Sequence, residues 1–230
     1  MTVLAPPHPT ETIHYPESDG QPMADNTLQF RWIVTLHGGL DALFANRPDV
    51  FVAGDLLWYP VEGDNKTRAA PDVLVVFGRP KGDRGSYLQW LEDNLPPHVV
   101  FEVLSPGNSI AEMTRKFSFY QRYGVEEYYL YDPDRGELSG WVRKEGQLES
   151  INEMQGWVSP RLGVRFEMKG GELKIYRPDG QPFETYTELA SRAAQAEARA
   201  AQEAEARRAA EAELARLREE LARLRGESGS

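Results

Sequence analysis

With 230 residues the chain can hold one good core and an appendage, and its 26 basic against 36 acidic side chains leave a formal charge of -10. The lack of cysteine excludes disulfides, a thiolate nucleophile and cysteine-ligated zinc or clusters, and suits a reducing compartment. The acid excess argues against broad, sequence-independent attraction to nucleic acid but leaves room for a local basic rim.

Residues 1–24 contain Pro6, Pro7, Pro9, Pro16 and Pro22. They have neither a basic start nor an apolar run, so a mobile arm is expected rather than a signal peptide. No apolar stretch approaches the roughly 20 residues that a membrane span requires, and a soluble, cytoplasmic protein is expected. Asp25 or Asn26 can cap a helix from about Thr27 to Phe44, in which Leu28, Ile33, Leu36, Leu40 and Leu43 recur on one face. Val50 to Tyr59 reads as a strand bent at Gly54, with Asp55 after the bend. Gly63-Asp64-Asn65 makes a loop. Pro71-Asp72 then opens the run Val73 to Phe77, whose unbroken apolar character suits a strand buried on both faces. These two strands are expected to form a hairpin. The following loop carries Arg79, Lys81 and Arg84, which read either as a solvated loop or as a phosphate-contacting one.

Val99 to Leu104 is an apolar strand with a single acid, Glu102. A Ser-Pro-Gly-Asn turn leads into a helix from about Ser109 to Tyr123, stopped by Gly124, and a second aromatic strand ends at Asp132-Pro133. A strand–helix–strand unit of this length is a crossover, with both strands parallel in one sheet. Segments 137–143, 147–151, 164–168 and 172–176 then alternate like an antiparallel meander covering that sheet. From residue 184 to about 226 the chain is nearly all Ala, Glu and Arg. Leu214, Leu217, Leu221 and Leu224 keep a 3-4-3 spacing there, while Glu203 and Arg207 fall on the same seam. That tail reads either as a single polar helix held by Glu–Arg pairs or as a coiled coil through which the chain forms a homodimer or other oligomer.

Glu102 is a carboxylate in a strand that otherwise wants burial, where acids rarely sit without a partner, a metal or a raised pKa. Asp72 at the head of one strand, Glu102 in the next core strand and Lys116 on the following helix can meet in space. Hard divalent ions such as Mg²⁺ are held by few carboxylates with several waters retained, and the backbone carbonyl of Val103 can add a ligand. A lysine beside them can orient or deprotonate an attacking water and offset charge in a phosphorane-like transition state. Each residue also has a plainer role. Pro71-Asp72 can be a turn, Glu102 can pair with Arg115, and Lys116 can pair with Glu112 one turn earlier. Asp55 can be a turn residue and Asp132-Pro133 a strand stop.

The order Pro71-Asp72, Glu102-Val103-Leu104 and Lys116, followed by Tyr120, Gly124-Val125, Glu127-Tyr128 and Asp132-Pro133, resembles the Uma-type restriction-endonuclease-like family of the PD-(D/E)XK nuclease superfamily. The resemblance covers about residues 25–180. It implies an α/β, restriction-endonuclease-like core: a mixed sheet flanked by helices, with the meander and the long C-terminal helix appended. It further implies Asp72 and Glu102 as ligands of Mg²⁺ or Mn²⁺, Asp55 as a further acid of the site, and DNA as the partner. The superfamily places its lysine two positions after the acid, where this chain has Leu104; the resemblance points instead to Lys116. The expected function is a metal-dependent endonuclease hydrolysing DNA phosphodiesters. The alternatives are a non-catalytic nucleic-acid- or protein-binding module on the same fold, and a glycosidase using Asp72 and Glu102 as its carboxylate pair. Ser105 lacks a nucleophile elbow, and no two histidines have metal-pair spacing.

Overall fold

The computed structural model describes residues 13–18 and 20–227. The chain divides into two compact units, one ending at Phe183 and one beginning at Glu184. The first opens with α1 (Thr27–Leu43), whose cap is Asn26: its side-chain oxygen accepts from the amides of Leu28 and Gln29 at 3.0 and 2.8 Å. Three strands follow, β1 (Val50–Gly54), β2 (Trp58–Tyr59) and β3 (Val73–Phe77), then the short β4 (Tyr87–Leu88). The crossover unit is β5 (Val99–Val103), α2 (Ile110–Tyr123) and β6 (Glu127–Asp132). Four more strands complete the unit: β7 (Glu137–Lys144), β8 (Gln147–Ser150), β9 (Arg165–Lys169) and β10 (Glu172–Tyr176). The second unit is one helix, α3 (Tyr186–Glu227).

Six strands form the main sheet in the order β1-β3-β5-β6-β7-β8. Every pairing in it is antiparallel except β5–β6, which the α2 crossover makes parallel. Alternate residues serve opposite faces. Val73, Val75, Val99, Phe101 and Val103 pack with Trp32, Ile33, Leu36 and Leu40 of α1. Leu74, Val76 and Val100 pack on the other face with Phe117 and Tyr120 of α2. Burying side chains of this size contributes about 1.5–3 kcal/mol each, so the sheet is a rigid platform held from both sides. Helix α2 is itself bounded by Ser109, whose hydroxyl accepts from the Glu112 amide at 3.2 Å, and by Gly124 in the left-handed conformation at φ 94°.

Three expectations are altered. The segment 50–59 is not one bent strand: Asp55 adopts φ 49° after Gly54, and the chain leaves the main sheet to pair β2 with β4 in parallel. The meander divides. β7 and β8 extend the main sheet, whereas β9 and β10 form a separate hairpin whose Phe166, Leu173 and Ile175 join the α1-side core. Part of the N-terminal arm is fastened: the Tyr15 ring lies 5.2 Å from Tyr59 and 5.0 Å from Trp90, and the Pro16 carbonyl accepts from the Tyr59 hydroxyl at 2.8 Å. Residues 1–12 and 19, and the side chain of Leu224, lie outside the described residues.

Candidate active site

Strand register decides where the acids stand. Val73 is opposite Phe101 in the β3–β5 pair and opposite Gly54 in the β1–β3 pair. One residue further along each register, Asp72 comes level with Glu102 on one side and with Asp55 on the other. The Asp55 amide donates to the Asp72 carbonyl at 3.3 Å and keeps that row together past the end of β1. Three acids that are 17 and 30 residues apart in the chain therefore share one transverse line across the sheet. Residues level with one another on adjacent strands present their side chains to the same face.

Helix α2 supplies the cation. The Lys116 amine donates to Glu102 Oε2 at 2.7 Å, and four residues on, one helical turn along, the Tyr120 hydroxyl donates to Glu102 Oε1. Glu102 is 2% exposed. Asp72 is half-buried, and its Oδ2 accepts from the Val103 amide at 2.6 Å. The structure thus brings Asp72, Glu102 and Lys116 together. The Lys116–Glu112 and Glu102–Arg115 pairs weighed from spacing do not form; Glu112 instead accepts from Asn108. The Val103 carbonyl accepts from Gln29 Nε2 at 2.8 Å, leaving its second lone pair for any further ligand. Asp132 accepts from the amides of Asp134 and Arg135 and closes a turn, away from the acid row.

The electrostatics follow from this crowding. Burial, then the charge of Glu102, pushes the Asp72 carboxyl well above the usual carboxylate range, against the opposing pull of Lys116. Burial by itself lowers an amine, but Glu102 and Asp72 outweigh it and raise Lys116, which is an ammonium at neutral pH. Burial and Glu102 likewise raise the Tyr120 phenol, which stays a hydrogen-bond donor. A second buried acid, Glu127, makes an instructive contrast. Its oxygens accept from the Tyr129 hydroxyl at 2.8 Å, the Ser159 hydroxyl and the Arg161 amide at 2.6 Å, all neutral donors. It is satisfied and pins the 159–161 turn to β6; it asks for no further cation.

A cleft of about 680 Å³ opens onto Asp55, Asp72 and Lys116 and is also lined by Asp25, Lys66, Arg68 and Arg115. A slightly larger cavity, about 710 Å³, is walled by Ile110, Met113, Phe117, Leu130 and Trp141 and, of the acids weighed from the sequence, is lined by Asp132 alone. Asp55, Asp72 and Lys116 belong to the smaller one. The basic residues at its mouth are not those singled out from the sequence. Arg79 and Arg84 are committed to Glu92, and Lys81 to Asp41, so that loop is an ion-paired structural element. Lys66 and Arg115 are exposed and form no salt bridge among the described residues. Sequence reasoning missed them because they come from two loci 49 positions apart. It gave no role to Tyr120, although the spacing of four from Lys116 was a usable signal, and it passed over Gln29, a polar residue on the apolar side of α1.

The donor set suits a hard divalent ion: carboxylate oxygens, a half-free carbonyl, and more negative charge than one ammonium balances. Among the described residues no group of three or more His, Cys, Asp or Glu is arranged to hold a metal. Two carboxylates with water filling the remaining positions is, however, a common Mg²⁺ arrangement.

A family model described as "Uma2: Putative restriction endonuclease" matches residues 22–170. Among solved structures the chain is similar to "a putative nuclease belonging to DUF820" from Anabaena variabilis, at 16% identity and a TM-score of 0.44, over 59% of this chain and 72% of that one. No curated protein matches.

Proposed function

The chain belongs to the Uma2 restriction-endonuclease family, and from that membership and the Asp72–Glu102–Lys116 cluster we propose that it is a divalent-cation-dependent endonuclease that hydrolyses DNA phosphodiester bonds. The observation that carries the reading is the Lys116 amine 2.7 Å from a buried Glu102 that stands level with Asp72. Asp72 and Glu102 would hold Mg²⁺ or Mn²⁺, with Asp55 and the Val103 carbonyl as further oxygen donors. When bound there, such an ion supplies Lewis-acid polarisation of the phosphoryl group and a more acidic water.

The protein's own groups do the rest. Lys116 is charged at neutral pH and so acts as a donor, orienting the attacking water and opposing negative charge that develops on the phosphoryl oxygens, rather than as a base. Tyr120 and Lys116 fix both oxygens of Glu102, which limits the motion of that ligand. Gln29 ties the Val103 carbonyl to the start of α1, where its own Oε1 accepts from the Asp25 amide at 2.8 Å. Lys66, Arg68 and Arg115 would contact the phosphates flanking the scissile one.

A supercoiled-plasmid nicking assay with Mg²⁺ or Mn²⁺ tests this. The native chain is expected to nick, and Glu102→Ala and Lys116→Ala to lose activity by at least a hundredfold. Equal cleavage by all three would overturn the assignment. Duplex binding without any cleavage by the native chain would instead favour a non-catalytic DNA-binding module, a reading that Leu104 at the usual lysine position supports.

A further inference from the structure

Every large apolar side chain described in α3 falls on one seam. Taking Leu214 and Leu221 as position a and Leu217 as d of a seven-residue repeat, the same register carried back without a break places Tyr186 at a and Leu189 at d. Between them Ala193, Ala196, Ala200 and Ala210 also fall on a or d, and only Glu203 and Arg207 interrupt the stripe. These apolar groups are left in solvent: Tyr186 is 80% exposed, Leu189 42%, Leu214 54%, Leu217 48% and Leu221 54%. A solitary helix held by intrahelical pairs such as Arg207–Glu211 at 3.0 Å gains a few tenths of a kcal/mol from each. That gives it no reason to collect its leucines on two positions out of seven.

The placement of the leucines and the charges beside the seam together point to the partner and its direction. In a parallel pair, position g of one helix faces position e of the next repeat on the other helix. Glu213 then meets Arg218, and Arg192 meets Glu197; in the sequence Glu220 is likewise followed by Arg225. An antiparallel pair confined to the leucine repeats confronts Arg218 with arginine and Glu213 with Glu220, and one overlapping along the whole helix sets Leu214 and Leu217 against Ala196 and Ala193. Only the parallel, in-register pair lays leucine on leucine with opposite charges beside them. We propose that α3 pairs with the α3 of a second copy of this chain as a parallel, in-register, two-stranded coiled coil running from Tyr186 through the leucine repeats. The two chains then enter the coil from the same end, so each assembly carries two copies of the acid–amine cleft. The pairing stands independently of the chemistry proposed for that cleft.

The absence of cysteine gives a clean background for testing it on the full-length chain. Ala196→Cys and Ala210→Cys sit at d positions, and Ala212→Cys, at f, points away from the seam. Mild oxidation is expected to convert both d variants to covalent dimers and to leave the f variant as single chains. Light scattering should give twice the chain mass for the native protein and a single-chain mass for Leu217→Glu. Cross-linking at only one of the two d positions would overturn the parallel register. A native chain that scatters as a monomer at tens of micromolar, or as a trimer, would overturn the pairing itself.

Discussion

Asp72 stands half-buried beside a second carboxylate, so its ionised form is held at a cost in the folded chain. Its folded pKa lies above the unfolded value of 3.8, which means the native state keeps this proton to higher pH. Stability therefore falls as pH rises from about 3.8 through the raised folded value, and the full penalty is present above it. Asp72→Asn removes the charge while retaining an oxygen for the Val103 amide. At pH 7 without divalent metal it should stabilise the chain by about 1 kcal/mol, roughly 2–4 °C in melting temperature for a domain of this size. The gain should fade as pH approaches the unfolded value. Added Mn²⁺ should raise the melting temperature of the native chain but not of the variant. A variant that melts lower than the native chain at pH 7 would show that Asp72 is a structural acid. Tyr120→Phe probes the neighbouring contact. It keeps the ring in its packed position and deletes only the donor to Glu102 Oε1. Loss of a partner that orients a ligand typically costs 10–100-fold in metal affinity, so half-saturation by Mn²⁺ in a thermal-shift titration should move up by about tenfold. No movement would mean that Glu102 is oriented without it.

At the level of elements, the crossover unit was legible because its signals are local: an apolar run, a Ser cap, a helical period and a Gly stop within residues 98–133. That unit sets Glu102 beneath α2, so the convergence of Glu102 and Lys116 could be read before the structure. What could not be read depends on pairing partners. Alternation in 137–150 says that one face is apolar, but not whether the strands lengthen the sheet or lie across it. The charges of Arg79 and Arg84 say nothing of Glu92 until the short helical turn at Gln89–Leu91 brings it back to them. The division of 50–59 turns on a single left-handed residue, Asp55, which also completes the acid row. One close approach between elements gives a stability test. Gly136, at the turn between β6 and β7, has φ 64°, and a Cβ there would lie 2.2 Å from the Gly171 carbonyl oxygen at the β9–β10 turn. Neither backbone can yield cheaply. Gly136→Ala should destabilise by about 1–3 kcal/mol, read as a lower urea midpoint with an unchanged slope. A neutral result would mean that the β9–β10 hairpin is free to shift.

For the molecule as a whole, a formal charge of -10 must be reconciled with the DNA substrate proposed above. Around the first unit Arg47, Arg79, Lys81, Arg84, Arg135, Lys144, Arg161, Arg165 and Lys174 each sit against a carboxylate, which leaves little long-range pull on DNA. Lys66 and Arg115 line the mouth of the cleft without a salt bridge among the described residues, so these two cations are available to hold a phosphate backbone beside the acid row in the function proposed above. Attraction of this kind is short-ranged and screened over about 8–10 Å at ordinary ionic strength. Each phosphate contact steepens the fall of log K with log salt by about 0.9 for duplex DNA. The double variant Lys66→Ala/Arg115→Ala should therefore flatten that slope by roughly 2, measured by fluorescence anisotropy on a short duplex with EDTA present to prevent cleavage. Lys81→Ala, whose charge is already spent on Asp41, should leave the slope as it is. If Lys81→Ala flattens it and the cleft variant does not, the duplex lies along the 78–97 loop, and the cleft is not where the backbone is held.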